Sequence, residues 1–220
     1  VMKKVLFILV LLMVCVPIAY YYNTKSTQKK LPIINPSELV EDVVDPELRN
    51  KSMGHKIQDF EFVNQNNVLI HSQDIEGNIW IVEYFFATCP SICPIMNEQM
   101  QRVQEAYRND DQIKILSFTV DPENDSVAVL KQYADDHQAI DQKWHFFTGD
   151  KKALYQLARQ SFFLLKPAET ANVGDAGGDF IHTNNFVLID TQKRIRGYYD
   201  GTNPQEVDEL ISDIQILKSE

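Results

Sequence analysis

The stretch from residue 81 to residue 94 places two cysteines between an apolar strand and a helix. Aliphatic and aromatic residues predominate at 81–86, which is typical of a strand buried on both faces. The chain then turns through Cys89, Pro90, Cys93 and Pro94. Residues 95–103, after Pro94, predict an amphipathic helix, because Ile92, Met96, Met100 and Val103 recur at spacings of four and three. Pro94 suits a first helical turn, where its missing N–H group leaves no hydrogen bond unmade. The sequence therefore predicts a strand, a cysteine-bearing turn and a helix.

This location favours reactive thiols. Unpaired N–H groups and the positive end of the helix dipole favour a thiolate over a thiol. The spacing of four residues puts Cys89 and Cys93 on one side of the first turn, so that the two sulfurs can close on each other or on one ion. Two other interpretations stay open. One is a structural disulfide, whose small loop would stabilise the fold by only about 2 kcal/mol; the other is a pair of buried, unreactive cysteines.

The remaining pattern predicts an α/β fold. Apolar stretches at residues 60–63 and 68–71, separated by four polar residues, predict a hairpin. After the cysteine helix, strands and helices alternate, and the chain ends in two strands and a helix. The predicted strands are 80–86, 113–120, 144–148, 186–190 and 195–199, and the later helices are 127–137, 151–160 and 204–217. A βαβ beginning and a ββα end are the plan of thioredoxin, here with an added N-terminal β-hairpin and an insertion loop at 161–179.

The first 22 residues predict a transmembrane anchor. An apolar run interrupted only by Pro17 approaches the ~20 residues that span a bilayer, and three tyrosines follow at the interface position. A cleaved signal peptide is one alternative, although no small-residue cleavage site is present at the right place. Lipid attachment at Cys15 is another, with the bulky Val14 where a small residue is usual.

The predicted domains are therefore residues 1–22 as anchor, 23–54 as a polar, proline-bearing tether, and 55–220 as the folded domain. Only four residues precede the apolar run, so the domain is placed on the extracytoplasmic, periplasmic side. The chain carries a net charge of −10; residues 1–22 contribute +2 and the remainder −12. This charge disfavours nucleic acid and anionic lipid as partners and suits a cation.

The number of cysteines and the position of one histidine limit which side chains could form a metal or redox site. Only Cys89 and Cys93 lie outside the N-terminal run, which excludes a disulfide scaffold but not a working pair. Among the five histidines, His182 lies in a glycine-bearing loop just before an antiparallel strand. In a thioredoxin plan that loop faces the cysteine turn and holds a proline, yet residues 179–185 contain none. From spacing alone, His182 is either a ligand or an ordinary loop residue.

Two thiolates and one imidazole suit Cu(I), or Cu(II) with an added oxygen ligand. Structural zinc usually takes four protein ligands, and no fourth is evident. Asp121 and Asp125 follow a neighbouring strand and are expected to end that strand and cap a helix rather than bind metal. Met96 and Met100 are expected in the core. His137 is expected to end a helix and His145 to pack in a strand.

Several motifs, in order, resemble the SCO (SenC/PrrC-like) family of copper-binding cytochrome c oxidase assembly proteins. They lie at residues 88–94, 117–125, 144–150, 187–190 and 195–202, together with His182. The resemblance implies a thioredoxin-like fold and copper ligation by Cys89, Cys93 and His182. Many members carry a polar residue just before this histidine, whereas this chain has Ile181, so no fourth ligand is implied there.

Two hypotheses follow. The first is a metallochaperone, not an enzyme, that binds one copper ion and serves the oxidase subunit bearing the dinuclear copper centre. Another periplasmic copper chaperone or a thiol reductant would then be a further partner. The second is a thiol–disulfide oxidoreductase, with Cys89 attacking and Cys93 resolving. His182 discriminates between them, because an oxidoreductase needs no ligand there. A peroxidase of related fold has no sequence signature in this chain.

Overall fold

A computed structural model describes residues 30–39, 44–45, 47–49, 54–164 and 183–220, together with residues 4, 11 and 13–18. His182, Ile181 and most of the predicted insertion at 161–179 lie outside the described residues. Residues 13–18 are helical and their side chains are exposed. Among the residues that the structure describes, no helix is both long enough and apolar enough to cross a bilayer.

The domain is built on a seven-stranded sheet in the order β2-β1-β5-β4-β3-β6-β7. β3 pairs with β4 in parallel and β6 runs antiparallel to β3, both as the thioredoxin plan predicted. β4 also pairs with β5 in parallel. The final hairpin, β6 and β7, forms one edge. The strands are β1 (Glu61–Asn64), β2 (Leu69–His71), β3 (Ile79–Phe85), β4 (Ile113–Thr119), β5 (Trp144–Thr148), β6 (Asn185–Ile189) and β7 (Ile195–Asp200).

The predicted N-terminal hairpin forms the other edge. Phe62 in β1 pairs with Ile70 in β2, and Val63 pairs with Thr148 in β5. Since β1 runs antiparallel to β5, the hairpin extends the sheet beyond the parallel strands. Phe60 and Phe62 pack on Phe118 at ring-centroid distances of 5.5 and 5.9 Å, which fixes the hairpin to the core.

Helices cover both faces of the sheet and create two cores. The helices are α1 (Ile92–Ala106), α2 (Val127–Asp136), α3 (Lys151–Gln160) and α4 (Pro204–Ser219). Alternate residues of each strand point to opposite faces. One core, the α1/α4 core, holds Ile81 and Ile115 beneath α1, α2 and α4, and it includes both cysteines. The other, the α3 core, holds Val82 and Leu116 beneath α3. The bounds of β5 and α3 are those predicted, and the ends of the other elements lie within three residues of the prediction.

Part of the predicted tether packs on the domain. We call residues 31–39, 44–45 and 47–49 the N-terminal strap. Leu31 belongs to the α1/α4 core, whereas Val44 is fully buried in the α3 core. The strap thus crosses from one face of the sheet to the other. The physical reason is that a few apolar side chains, spaced along an otherwise polar segment, reach both cores.

Candidate metal centre

The two cysteines lie at the end of the sheet where β3 and β4 terminate. Cys89 is in the turn after β3, and Cys93 is the second residue of α1, so the helix begins before Pro94 and takes this proline into its first turn, as predicted. Both thiols are free and buried, with 7% and 3% of each residue exposed. The surrounding Thr88, Pro90 and Ser91 are exposed, so the site lies just under the surface.

Cys89 is the thiol that the local structure prepares for ionisation. Burial by itself would raise its pKa, but a hydrogen bond from the Cys93 thiol and backbone N–H groups of Ser91 and Cys93 outweigh burial and lower it. The Ser91 hydroxyl also lies 3.8 Å from the Cys89 sulfur. These donors belong to the start of α1, so the helix start favours a thiolate at Cys89, one of the two thiols for which the sequence predicted it.

Cys93 has the opposite tendency. Burial raises its pKa, and the neighbouring Cys89 raises it further, while a backbone hydrogen bond from Phe86 lowers it in part. The negative charge of Glu83 adds to the increase. The arrangement therefore favours ionisation at Cys89, toward whose sulfur the protonated Cys93 thiol donates.

A buried carboxylate fastens the cysteine turn to the neighbouring strand end. Both Asp125 oxygens accept from the backbone N–H of Ala87, at 3.3 and 3.2 Å, and Asp125 also accepts from the Thr119 hydroxyl at the end of β4. The Thr119 hydroxyl in turn accepts from the Asp121 backbone N–H at 2.9 Å. Ser126 caps α2 by accepting from the Val129 backbone N–H, so the cap lies one residue after Asp125. Asp125 instead positions the turn that precedes Cys89.

Beneath the cysteines lies a buried acid that sequence reasoning missed. Glu83 on β3 accepts from the Ser117 hydroxyl at 2.5 Å, and Ser117 accepts from the Trp144 indole at 2.8 Å. The second oxygen of Glu83 has no partner among the described residues. Burial raises the pKa of Glu83 to about 7. The available signal was a single charged residue within the apolar run of β3.

The histidines that the structure describes are accounted for outside the site. His137 ends α2, with its Nδ1 2.8 Å from the Tyr133 carbonyl oxygen, and His145 packs on Phe147, both as predicted. Burial lowers the pKa of His145 to about 4. His55 Nε2 lies 2.9 Å from a backbone carbonyl oxygen, and His71 contacts a glutamate.

Within the described ranges, no group of three or more histidine, cysteine, aspartate or glutamate side chains is placed to hold a metal ion. The structure brings Cys89 and Cys93 together, whereas His182 falls outside those ranges. Met96 and Met100 are 1% and 0% exposed in the α1/α4 core, as expected.

A comparison with models of protein families identifies the family of this chain. The SCO1/SenC family model matches residues 49–218, well over half of the 220 residues. The chain belongs to the SCO1/SenC family.

Relatives within SCO1/SenC support both fold and family. The SCO1 protein homolog of Bacillus subtilis is 28% identical over 165 residues, which cover 74% of this chain and 83% of that protein. The solved structure of BsSco, described as a cytochrome c oxidase assembly protein with a disulfide switch, has a TM-score of 0.63 and 27% identity, covering 76% of this chain and 95% of that one. Yeast Sco1 with copper bound has a TM-score of 0.56 at 20% identity, covering 74% and 90%. The predicted thioredoxin-like fold of the SCO1/SenC proteins is thus confirmed for this domain.

Proposed function

We propose that this chain is a membrane-anchored copper metallochaperone that assists assembly of the dinuclear copper centre of cytochrome c oxidase. It binds one copper ion through Cys89, Cys93 and His182. The observation that carries the proposal is the pair of free thiols at the start of α1, where hydrogen bonds lower the pKa of Cys89. Soft thiolate ligands select Cu(I), and imidazole accommodates either copper oxidation state.

Copper is the cargo in this proposal, so the site has to load and unload. Loading displaces the proton that Cys93 holds, because only a deprotonated thiol ligates the ion. Unloading is an exchange of ligands, in which a thiolate of the acceptor subunit replaces one of the two cysteines. The exposed residues around the turn let an acceptor approach without unfolding the domain.

The test is an anaerobic Cu(I) titration of the reduced full chain in detergent. Cys89→Ser, Cys93→Ser and His182→Ala should each weaken binding by at least about tenfold, as expected when one ligand of three is lost. His71→Ala is the matched control, because this exposed histidine contacts Glu61 far from the cysteine turn, and it should bind like wild type. Unchanged affinity in His182→Ala would remove that residue from the site.

The domain arrangement belongs to the same proposal: residues 1–22 anchor the chain, 23–54 connect it, and 55–220 form a copper-binding domain on the periplasmic side. The exposed apolar side chains of the helical residues 13–18 support anchoring, since soluble surfaces seldom leave such a run uncovered. The partners would be the copper-centre subunit of the oxidase, together with a periplasmic copper donor or thiol reductant.

The asymmetry of the two thiols favours a second candidate, thiol–disulfide oxidoreductase. The Cys89 thiolate would attack a partner disulfide, forming a mixed disulfide and releasing one partner thiolate. Cys93, after losing its proton, would attack the Cys89 sulfur and release the second partner thiolate. The pair is then oxidised to a disulfide, and the partner gains the two electrons.

Trapping distinguishes this candidate. With a model disulfide substrate, Cys93→Ala should accumulate the mixed disulfide at Cys89, whereas Cys89→Ala should form none, because the attacking thiolate is missing. If wild type reduces the substrate no faster than a variant lacking both cysteines, the oxidoreductase candidate fails, and the copper titration is unaffected by that result.

A further inference from the structure

The N-terminal strap is fixed to the domain by a buried arginine. Arg196 on β7 is 4% exposed, and its guanidinium donates to the backbone oxygens of Pro32 and Leu31 at 2.9 and 2.7 Å. It also donates to Asp190 at 3.0 Å and Glu220 at 2.6 Å. Glu220 in turn accepts from the Leu31 backbone N–H at 2.9 Å. The strap, β7 and Glu220 after α4 are thus joined in one polar network.

Backbone pairing and apolar burial extend this attachment. The Ile34 N–H donates to the Ile195 carbonyl oxygen at 2.9 Å, so the strap continues the sheet beyond β7 at that point. Leu31 is 6% exposed, whereas Ile33, two residues later, is 39% exposed. The attachment of the strap therefore depends on buried side chains such as Leu31 and not on exposed ones such as Ile33.

These contacts all lie at one end of the sheet. Ile195 pairs with Ile189, which pairs with Trp80 near the beginning of β3. The cysteines follow the opposite, carboxyl end of the same strand. We call these the strap end and the cysteine end. A strand of seven residues separates them by about 20 Å.

We propose that the docked strap makes the cysteine end face away from the membrane, so that the site serves an acceptor group held well above the bilayer surface. This inference rests on the anchoring in the proposed function. Nine residue steps separate Tyr22 from Leu31, and in any conformation they span at most ~30 Å. Turning the cysteines toward the bilayer would lift the strap end of this domain, which is about 40 Å across, by ~20–30 Å. The connection reaches that height only when almost fully extended, whereas a chain of nine residues has a root-mean-square span of ~17 Å, so its conformational entropy favours the cysteine end facing away from the membrane.

Release of the strap would remove the restriction. The 32 residues from 23 to 54 span up to ~105 Å when extended, more than twice the width of the domain. The same cysteines could then reach a group at the bilayer surface. The strap accordingly selects between a partner that projects from the membrane and one that lies on it.

Energy transfer in vesicles tests this orientation on the full chain. A donor fluorophore is attached through an azide-bearing amino acid in place of Asp111, exposed at the strap end, or Glu123, exposed at the cysteine end. Vesicles of phosphatidylcholine and phosphatidylglycerol carry acceptor dye on the lipid headgroups. Transfer should be about threefold stronger from position 111 than from position 123, because the ends differ by ~20 Å in height.

Two perturbations should bring that ratio close to one. Leu31→Asp places a charge in the core and releases the strap, whereas Ile33→Asp, on an exposed side chain, keeps the wild-type ratio. Insertion of ~20 glycine and serine residues between Lys29 and Lys30 lengthens the connection without touching the fold. A wild-type ratio near one, or an unchanged ratio after the insertion, overturns the inference while leaving anchoring intact. Absence of transfer from both positions overturns anchoring and this inference together, and the copper titration still stands or fails separately.

Discussion

Glu83 provides the sharpest test of the physical account of the site. Its carboxyl is buried, accepts one hydrogen bond from Ser117 and has a pKa raised by burial from 4.5 to about 7. The native protein therefore keeps a proton that the unfolded chain releases between these two pH values. Stability conferred by the protonated form is complete below about pH 4.5 and falls as the pH rises through 7. The difference corresponds to about 3 kcal/mol of unfolding free energy at alkaline pH.

Glu83→Gln keeps the shape and one acceptor oxygen but cannot ionise. We expect its stability, relative to wild type, to rise by up to about 3 kcal/mol between about pH 5 and about pH 8. The measurement is urea unfolding of the reduced proteins at both pH values, compared as a difference of differences so that other titrating groups cancel. Glu76→Gln, on an exposed glutamate, is the matched control and should show no such change. Parallel stability of Glu83→Gln and wild type at both pH values would refute the reasoning.

Three further predictions concern the turn, the thiols and the strap. Asp125→Ala removes the acceptor for the Ala87 backbone N–H before Cys89, so the Cu(I) affinity should fall about 10–100-fold, as for other groups that support metal ligands. Asp125→Asn should retain most of the wild-type affinity. Equal affinity in both variants would count against a positioning role for Asp125. Cys93→Ala removes a hydrogen bond to the Cys89 sulfur, so the pKa of Cys89 should rise and its alkylation at neutral pH should slow. Faster alkylation would contradict the assignment of Cys93 as the donor to Cys89. Arg196→Met removes the donors to the Pro32 and Leu31 carbonyl oxygens, while Asp190 keeps its contact with Arg194, so the substitution should destabilise the fold by about 1–3 kcal/mol in urea unfolding. Arg108→Met, in an exposed ion pair, should leave the midpoint in place. Similar midpoints for the two variants would show that the network is not stabilising.

The strand and helix pattern could be predicted because its signals are local. The largely apolar sequence of β3 specifies that strand within a few residues. The capped start at Asp150 does the same for α3. Parallel pairing of β3 with β4 followed from the helix between them, since a connection of that kind returns the chain in the same direction. The beginning of α1 was placed three residues too late, because the turn prolines obscure a helix that already includes Ile92.

The site itself was only partly predictable. The cysteine pair is visible in the sequence because four-residue spacing and helix periodicity coincide there. The roles of Asp125 and Glu83 depend on contacts between residues 38 and 34 positions apart, to Ala87 and Ser117, and no local pattern encodes those contacts. The strap was missed for the same reason, since its polar composition suggests a linker and only tertiary packing buries Leu31.

The bond between Ile34 and Ile195 also bears on solubility. β7 is the last strand in the sheet order, and an open strand edge is a template for pairing with another chain. The strap occupies part of that edge and the fixed guanidinium of Arg196 holds it there. Truncating the chain to the domain without the strap would therefore expose a row of backbone donors and acceptors and promote edge-to-edge self-association. A shortened protein that stays monomeric should begin before Leu31.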